Sequence, residues 1–593
     1  MEVERMEVER KIEAREVLLS RIFSDEFLFE VPEYQRPLSW TSENFQKLIE
    51  DIYDAQTSGE EQYFIGSIIL QGKGKNLFEI IDGQQRIVSL SVLLAVIRDN
   101  TSDEKQKAQI QKYIYLEEDT LKEIPEAMKV TPWDELKDDF RKYVYSIGGT
   151  ALFLKDFENK RIKFIDEETP RYHLYEAIST FKTKLEEITD RESFVKYLLN
   201  RVYIVYIKTT DLISAFRLFS VLNARGLPLT TSDLLKNESL GEISDSNERR
   251  KYAKIWVDIE ESIGREELED VMGFLRTIIL QEKAKVSIYE EYQTIFKKKL
   301  LPQGPAFIKL VKEIADIYKE KIIEGEINTT DSVTKNRYKI IVNLMGQYIP
   351  FADWIPPLIH FCHKYKREDL LLDFLLTLEK KVIVELSSGF TFSERTTSFN
   401  RIIKLIDITD DPSEVIQKML YYREDDSRGK KARFIDYRNQ LEVKKILTDV
   451  LDHPQLYSIY GGRLARYFLL RIDVEKSELA NISKEYTGLI TVEHILPRNP
   501  PKDSEWQRLF SEEQRLEWTN KLGNLVLLSG MRNSSAQNFE FKKKKDTYFY
   551  KKKKSTEFLI TKELEGLDRW DMQKLTERHQ NLKEIVLNML QPK

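Results

Sequence analysis

Between residues 491 and 538 the chain reads TVEHILPRNP, then NKLGNLVLLSG, then MRNSSAQN, and no other stretch constrains it so tightly. A β-branched, apolar lead-in carries Glu493 and His494 into an Ile-Leu-Pro turn. A second apolar run follows from Asn524 to Leu528 and ends in a polar segment with Arg532, Asn533 and Asn538. Hydrolysis of a phosphodiester needs a base to activate water and a cation to hold the leaving oxygen. A His beside an oxygen ligand on a strand, with an amide at the start of a helix, supplies both. His494 is the natural base, because only imidazole titrates near neutrality unperturbed. A hard divalent ion such as Mg²⁺ keeps several waters and suits one carboxylate, Glu493, and one amide oxygen, Asn533. Asn524 is placed to orient the imidazole through its other ring nitrogen. Neighbours on an ideal strand point to opposite faces. For Glu493 and His494 to share a site the backbone must turn there, and Pro497 fits a strand that is ending.

A lone Glu-His pair in 593 residues is usually an accident, and the chain has six His. The full order, E-H-I-L-P, G-N-L-V-L-L and R-N-S-S followed by lysines, carries the reading. It has the layout of a ββα-metal, HNH-type nuclease centre. The stretch resembles the carboxy-terminal nuclease domain of the GmrSD-like, type IV restriction proteins, and more distantly the HNH domain of RNA-guided nucleases. The resemblance implies His494 as base, Glu493 and Asn533 as ligands of Mg²⁺ or Mn²⁺, and Asn524 as orienter. Just downstream lie Lys542, Lys543, Lys544 and Lys545, then Lys551, Lys552, Lys553 and Lys554, with aromatics between. Most lysine runs are solvated surface. Beside a nuclease motif these eight read as a DNA-phosphate-contacting face.

A net charge of −6 requires any nucleic-acid-binding charge to be local. Charged residues make up 32% and hydrophobic residues 41%, which suggests long solvated helices over real cores. A single cysteine, Cys362, excludes an intrachain disulfide and a cysteine-based zinc cluster, and fits a reducing cytoplasm. No uncharged apolar run approaches the roughly 18 residues of a membrane span. The charged start, MEVERMEVERKIEAREVL, lacks the pattern of a signal peptide.

A second constellation occupies residues 31–100. VPEYQRPLSW is a Pro-bounded loop holding Arg36, and Thr41 or Ser42 caps an amphipathic helix to about Ala55. YFIGSIILQ reads as a strand, GKGKN as a turn and LFEII as a second strand. Asp82, Gly83, Gln84, Gln85 and Arg86 come next, and IVSLSVLLAVIRD continues as an apolar helix. A strand, a Gly-containing turn and a helix start favour an anion, and Arg86 adds a planar phosphate ligand. Asp82 suits a helix cap or a share in Mg²⁺. Most such turns are only structural. Here IDGQQR, VPEYQRPLSW and FIGSIIL together resemble the amino-terminal domain of the same GmrSD-like family, distantly similar to the ParB/sulfiredoxin fold. That resemblance implies a nucleoside triphosphate, of unknown base, bound by Asp82, Gly83, Gln84, Gln85 and Arg86, with Arg36 matching the first loop. RVYIVYIKTT reads as a further strand, DLISAFRLFSVLNARG as a helix ending at Gly226, and LPLTTSDLLKN as a helix start capped by Thr231, Ser232 or Asp233. Asn223, Arg225 and Gly226 match the family's N-x-R-G signature, and Asp233 and Lys236 its D-L-x-K signature. They imply a second wall of the nucleotide site.

The rest reads as helical, and IPPLIHFCHKY, with His360 and His363, as a packed helix rather than a metal site. The expectation is a multidomain, predominantly α chain with α/β parts. Residues 1–240 form a ParB/sulfiredoxin-like α/β nucleotide domain, 241–450 a helical scaffold and 451–593 the ββα-metal (HNH) nuclease. The function expected is a cytoplasmic, nucleotide-dependent, modification-sensing DNA endonuclease or nickase of prokaryotic anti-phage defence. Its partner is DNA, chiefly modified phage DNA, with no membrane and with room for a homo-oligomer. Two rivals are a nucleotide-regulated DNA-binding switch with an inactive nuclease fold, and a toxin-like nuclease attacking host DNA or RNA.

Overall fold

The computed structural model describes residues 12–32, 35, 37–74, 76–118, 126–159, 162, 169–209, 230–423, 433–480, 482, 484, 486, 489–529, 538–550 and 556–590. The chain divides into two compact units, Met1–Ala253 and Lys254–Lys593.

The first unit is built on a mixed sheet. Its strands are β1 (Ile12–Leu18), β2 (Leu28–Glu30), β3 (Tyr63–Gly72), β4 (Leu77–Asp82) and β8 (Val202–Thr209), with β7 (Val130–Thr131) at one edge. Two-residue strands β5 (Tyr115–Leu116) and β6 (Ala127–Met128) form a separate ribbon. The order in the six-stranded sheet is β1-β8-β3-β4-β2-β7. The β3–β4 pair is antiparallel, as the YFIGSIILQ–turn–LFEII pattern predicts, whereas β3 runs parallel to β8 and β2 parallel to β4. These strands are rich in β-branched and aromatic residues that pack well on a pleated surface.

The helix Gln84–Asp99 follows β4 directly. Every residue from Ile87 to Arg98 is buried, so the helix is a core element rather than an amphipathic cover. Arg98 is fully buried and fully used: it donates to Gln111 Oε1 (2.6 Å) and to the carbonyls of Tyr145 and Ser146, and pairs with Asp99 (2.7 Å). The helix Ser42–Thr57 is capped by Thr41. The helix Thr231–Gly241 is capped by Thr230, one residue before the expected caps, because the Thr230 hydroxyl and the Asp233 carboxylate form a reciprocal capping box. The Asn223, Arg225 and Gly226 expectations lie outside the described residues.

Among its described residues the second unit is helical apart from one antiparallel pair, β9 (Ile490–His494) with β10 (Leu525–Ser529), in register His494 opposite Leu525. The helical region from Lys254 onward and β9–β10 fall in one compact unit. A buried ion pair shows why. Arg471, in the helix Arg463–Leu479, donates to Glu379 Oε1 (2.7 Å) in the helix Leu371–Ser387, and the Tyr467 hydroxyl donates to the same carboxylate. Pulling these helices apart would leave a lone charge in a low-dielectric interior. His360 and His363 lie on the helix Ile355–Tyr365 and meet different acids, Asp407 (2.7 Å) and Glu313 (3.5 Å), as befits a packed helix. Burial pushes the Cys362 thiol between them up to about 12, so it stays protonated. Among the described residues no helix is long and apolar enough to cross a membrane.

Candidate active site

β9 ends at His494, and the turn after it is clamped to the start of β10. The Ile495 N–H donates to the Asn524 carbonyl (2.9 Å) and the Leu496 N–H to Asn524 Oδ1 (2.7 Å). The Asn524 amide nitrogen donates to the carbonyls of Leu496 and Thr519. Asn524 is completely buried, and its side chain closes this turn rather than orienting the imidazole. The carboxy-terminal helix Met572–Leu590 fastens the same region: His579 Nδ1 accepts from the Gly523 N–H and Arg578 donates to the Leu525 carbonyl (2.9 Å).

The residue that holds the imidazole is Asn520, whose Oδ1 lies 3.0 Å from His494 Nε2. Its amide nitrogen donates to Gln455 Oε1 (3.0 Å). Oδ1 therefore faces the ring and accepts, so Nε2 carries the proton and Nδ1 keeps the lone pair. Tyr457 packs edge-on against the ring, with centroids 4.5 Å apart. Burial pushes the His494 imidazole down to about 4, with Arg498 and Lys544 adding to the shift and the Asn520 bond opposing it. The ring is neutral at physiological pH and able to take a proton. Nothing in the local sequence marked Asn520: the partner lies 26 positions along the chain. Replacing Asn520 by Leu should lower DNA cleavage by about 10–100-fold, the usual effect of losing a group that orients a functional His. Unchanged turnover would remove Asn520 from the site.

Glu493 meets a different partner. Lys544 Nζ lies 2.8 Å from Glu493 Oε1 and donates to the His494 carbonyl (2.6 Å). Lys544 sits in the helix Phe541–Tyr550 and is fully buried, so it does not reach a DNA phosphate as the lysine run suggests. Lys542 and Lys543 are exposed. Lys545 turns back to the Leu567 carbonyl. Lys551–Lys554 and Asn533 lie outside the described residues. Among the described residues no three His, Cys, Asp or Glu side chains gather to hold a metal ion. A carboxylate has about four lone-pair sites, so Glu493 can serve Lys544 and a hydrated ion together. Mg²⁺ needs only one or two protein oxygens beside waters and phosphate, and Glu493 fits that sparse role.

In the first unit the Asp82–Arg86 turn joins β4 to the core helix. Gly83 has φ +89°, and a Cβ there would lie 2.5 Å from Ile68 Cγ2. Gly83→Ala should therefore cost about 1–3 kcal/mol, from the left-handed backbone and the clash. An unchanged denaturant midpoint would show that the turn relaxes. Arg86 Nη1 donates to the Ser67 carbonyl (2.8 Å), and the guanidinium lies over Gly66, where a Cβ would come within 2.8 Å of Cζ. Burial pulls the Arg86 guanidinium down from its usual range, and nearby Asp82 opposes this. A desolvated cation at a helix start is well prepared for an anion.

Gln85 does something other than expected. Its Nε2 donates to the Pro37 carbonyl (2.8 Å) and its Oε1 accepts from the Ser39 N–H (3.0 Å). Gln35, buried, donates to the Ile81 carbonyl (2.7 Å), and its own carbonyl accepts from the Trp133 indole. Gln85 and Gln35 thus pin the VPEYQRPLSW loop to the turn. Arg36 lies outside the described residues.

Residues 18–240 match the family model for the amino-terminal domain of the GmrSD restriction endonuclease, and residues 431–585 that for the carboxy-terminal domain of GmrSD restriction endonucleases. Together they span more than half of the chain. The chain belongs to the GmrSD restriction endonuclease family. It is a restriction-type nuclease of phage defence, acting on DNA. The two matches cover both constellations: the Gly83 turn falls in the first and the His494 centre in the second. No curated protein matches this GmrSD-family chain.

Proposed function

We propose that this GmrSD-family chain is a nucleotide-dependent, modification-sensing DNA endonuclease or nickase whose hydrolytic centre is of the ββα-metal, HNH type. The observation that carries the reading is the His494 imidazole, held by Asn520 at the end of a strand that pairs with β10 and meets the helix Phe541–Tyr550. His494 Nδ1 takes a proton from water, and the water attacks the phosphodiester. Asn520 keeps the ring in the tautomer that leaves Nδ1 unprotonated. Asn524 keeps the turn after β9 closed, and so holds His494 at a fixed place on the strand end. Glu493 and Asn533 would hold a Mg²⁺ or Mn²⁺ ion, which when bound supplies positive charge to the leaving oxygen. Lys542 and Lys543 meet the DNA backbone, together with Lys551–Lys554.

The Asp82–Arg86 turn, in a domain read as ParB/sulfiredoxin-like, takes the phosphates of a nucleoside triphosphate, with Arg86 as the charged ligand and Gln84 beside it. Gln85 shapes the site by docking the first loop, which carries Arg36. Asn223 and Arg225 complete the wall by family resemblance. The nuclease part is tested by cleavage of plasmid and modified phage DNA with wild type and His494→Ala. Loss of cleavage in the variant is expected, and wild-type cleavage by it would refute the assignment.

A further inference from the structure

The four-lysine run Lys542–Lys545 looks uniform in sequence, yet the fold divides it. Lys542 and Lys543 are exposed, whereas Lys544 is completely buried. Phe541, buried at 1% exposure, and Lys544 are three residues apart on one helix and share its inward face. From there the Lys544 ammonium reaches Glu493 Oε1 at 2.8 Å and the His494 carbonyl at 2.6 Å. It joins two consecutive residues of the strand that carries the base, from the helix that completes the hairpin-and-helix unit.

A buried ammonium is costly to hold, and a purely structural contact there is better made by an apolar side chain. The charge instead has two uses at this place. It fixes the main chain of His494 while Asn520 holds the ring, so the residue is anchored through both its backbone and its imidazole. It also lowers the net charge at Glu493, which sets how strongly that carboxylate draws a second cation. We propose that Lys544 is a positioning residue of the nuclease centre, bracing Glu493 and the His494 carbonyl, and is not a DNA-phosphate ligand. The proposal rests on the His494 reading above.

The test compares full-length wild type, Lys544→Met, Lys542→Ala/Lys543→Ala and His494→Ala. Lys544→Met should lower turnover at saturating DNA by about 100-fold, within the range set by loss of an aligned base. Its DNA affinity should keep the wild-type dependence on salt, since no phosphate contact is lost. Lys542→Ala/Lys543→Ala is the reference for true phosphate contact: the slope of log affinity against log salt should fall by about 0.9 per contact removed. A salt slope reduced in Lys544→Met, with turnover intact, would overturn the proposal. Methionine takes the ammonium away from Glu493, so Glu493→Gln/Lys544→Met guards against misfolding. That double variant should unfold near the wild-type temperature; a melting temperature far below it would make Lys544 a fold brace and overturn the proposal. A readout independent of cleavage is the Mn²⁺ concentration that half-saturates the thermal shift of DNA-free protein. It should fall in Lys544→Met, where the ammonium no longer shares the carboxylate, and an unmoved midpoint would make Lys544 a fold brace only. If His494→Ala cleaves normally, the nuclease reading itself fails. If His494→Ala is dead and Lys544→Met is normal, only the Lys544 assignment fails.

Discussion

Replacing His494 by alanine is expected to lower DNA cleavage by about 10²–10⁴-fold, the usual contribution of a general base, while DNA affinity stays near wild type. The imidazole is almost entirely buried, and its hydrogen bond goes to Asn520. Removing it takes away a proton acceptor and no exposed cation. Single-turnover cleavage and filter binding on the same preparations separate the two effects. Cleavage at the wild-type rate would sink the assignment of His494. A parallel loss of affinity would mean that the alanine disturbs the hairpin and not only the chemistry.

Arg86→Ala is expected to weaken nucleoside triphosphate binding by about 10–100-fold, the equivalent of roughly 1.5–3 kcal/mol for a hydrogen bond to a charged group. The guanidinium is mostly desolvated and sits at the first turn of a long core helix, over a glycine that leaves it room. Hydrolysis of nucleotide should fall together with binding. Calorimetry across the common triphosphates checks this. If none binds the wild-type protein, or if Arg86→Ala binds equally well, the Asp82–Arg86 turn is structural. Gating of the nuclease by nucleotide would then have no site.

Local pattern made parts of this molecule legible and distance hid others. The β3–β4 pair, the Gly83 turn and the helix after it follow from composition and punctuation over a few dozen residues, and the structure has them in place. The strand character of 490–494 and 525–529 was equally plain. Asn524 misled because its neighbourhood in sequence says nothing of which amide meets which ring. Its hydrogen bonds span 28 positions to Leu496, and those of Asn520 span 26 to His494. Gln85 looked like a ligand because it lies inside the anion turn, but its partners are 46 and 48 positions away in a loop. Lys544 was misread for a different reason. A run of identical residues hides helical periodicity, and only the spacing from Phe541 marks it as inward-facing. The grouping of the helical middle with β9–β10 depended on Glu379 and Arg471, a pairing over 92 positions that no window of sequence reveals.

The most direct measurement is a cleavage panel with the full-length protein that crosses three variables: modified phage DNA against plain plasmid, each common triphosphate against none, and Mg²⁺ or Mn²⁺ against chelator. Cleavage of modified DNA is expected when both a triphosphate and a divalent ion are present, with plain plasmid spared and His494→Ala inactive throughout. Equal cleavage of plain and modified DNA without any triphosphate would contradict it, and would leave a nuclease that neither senses modification nor answers to the Asp82–Arg86 turn.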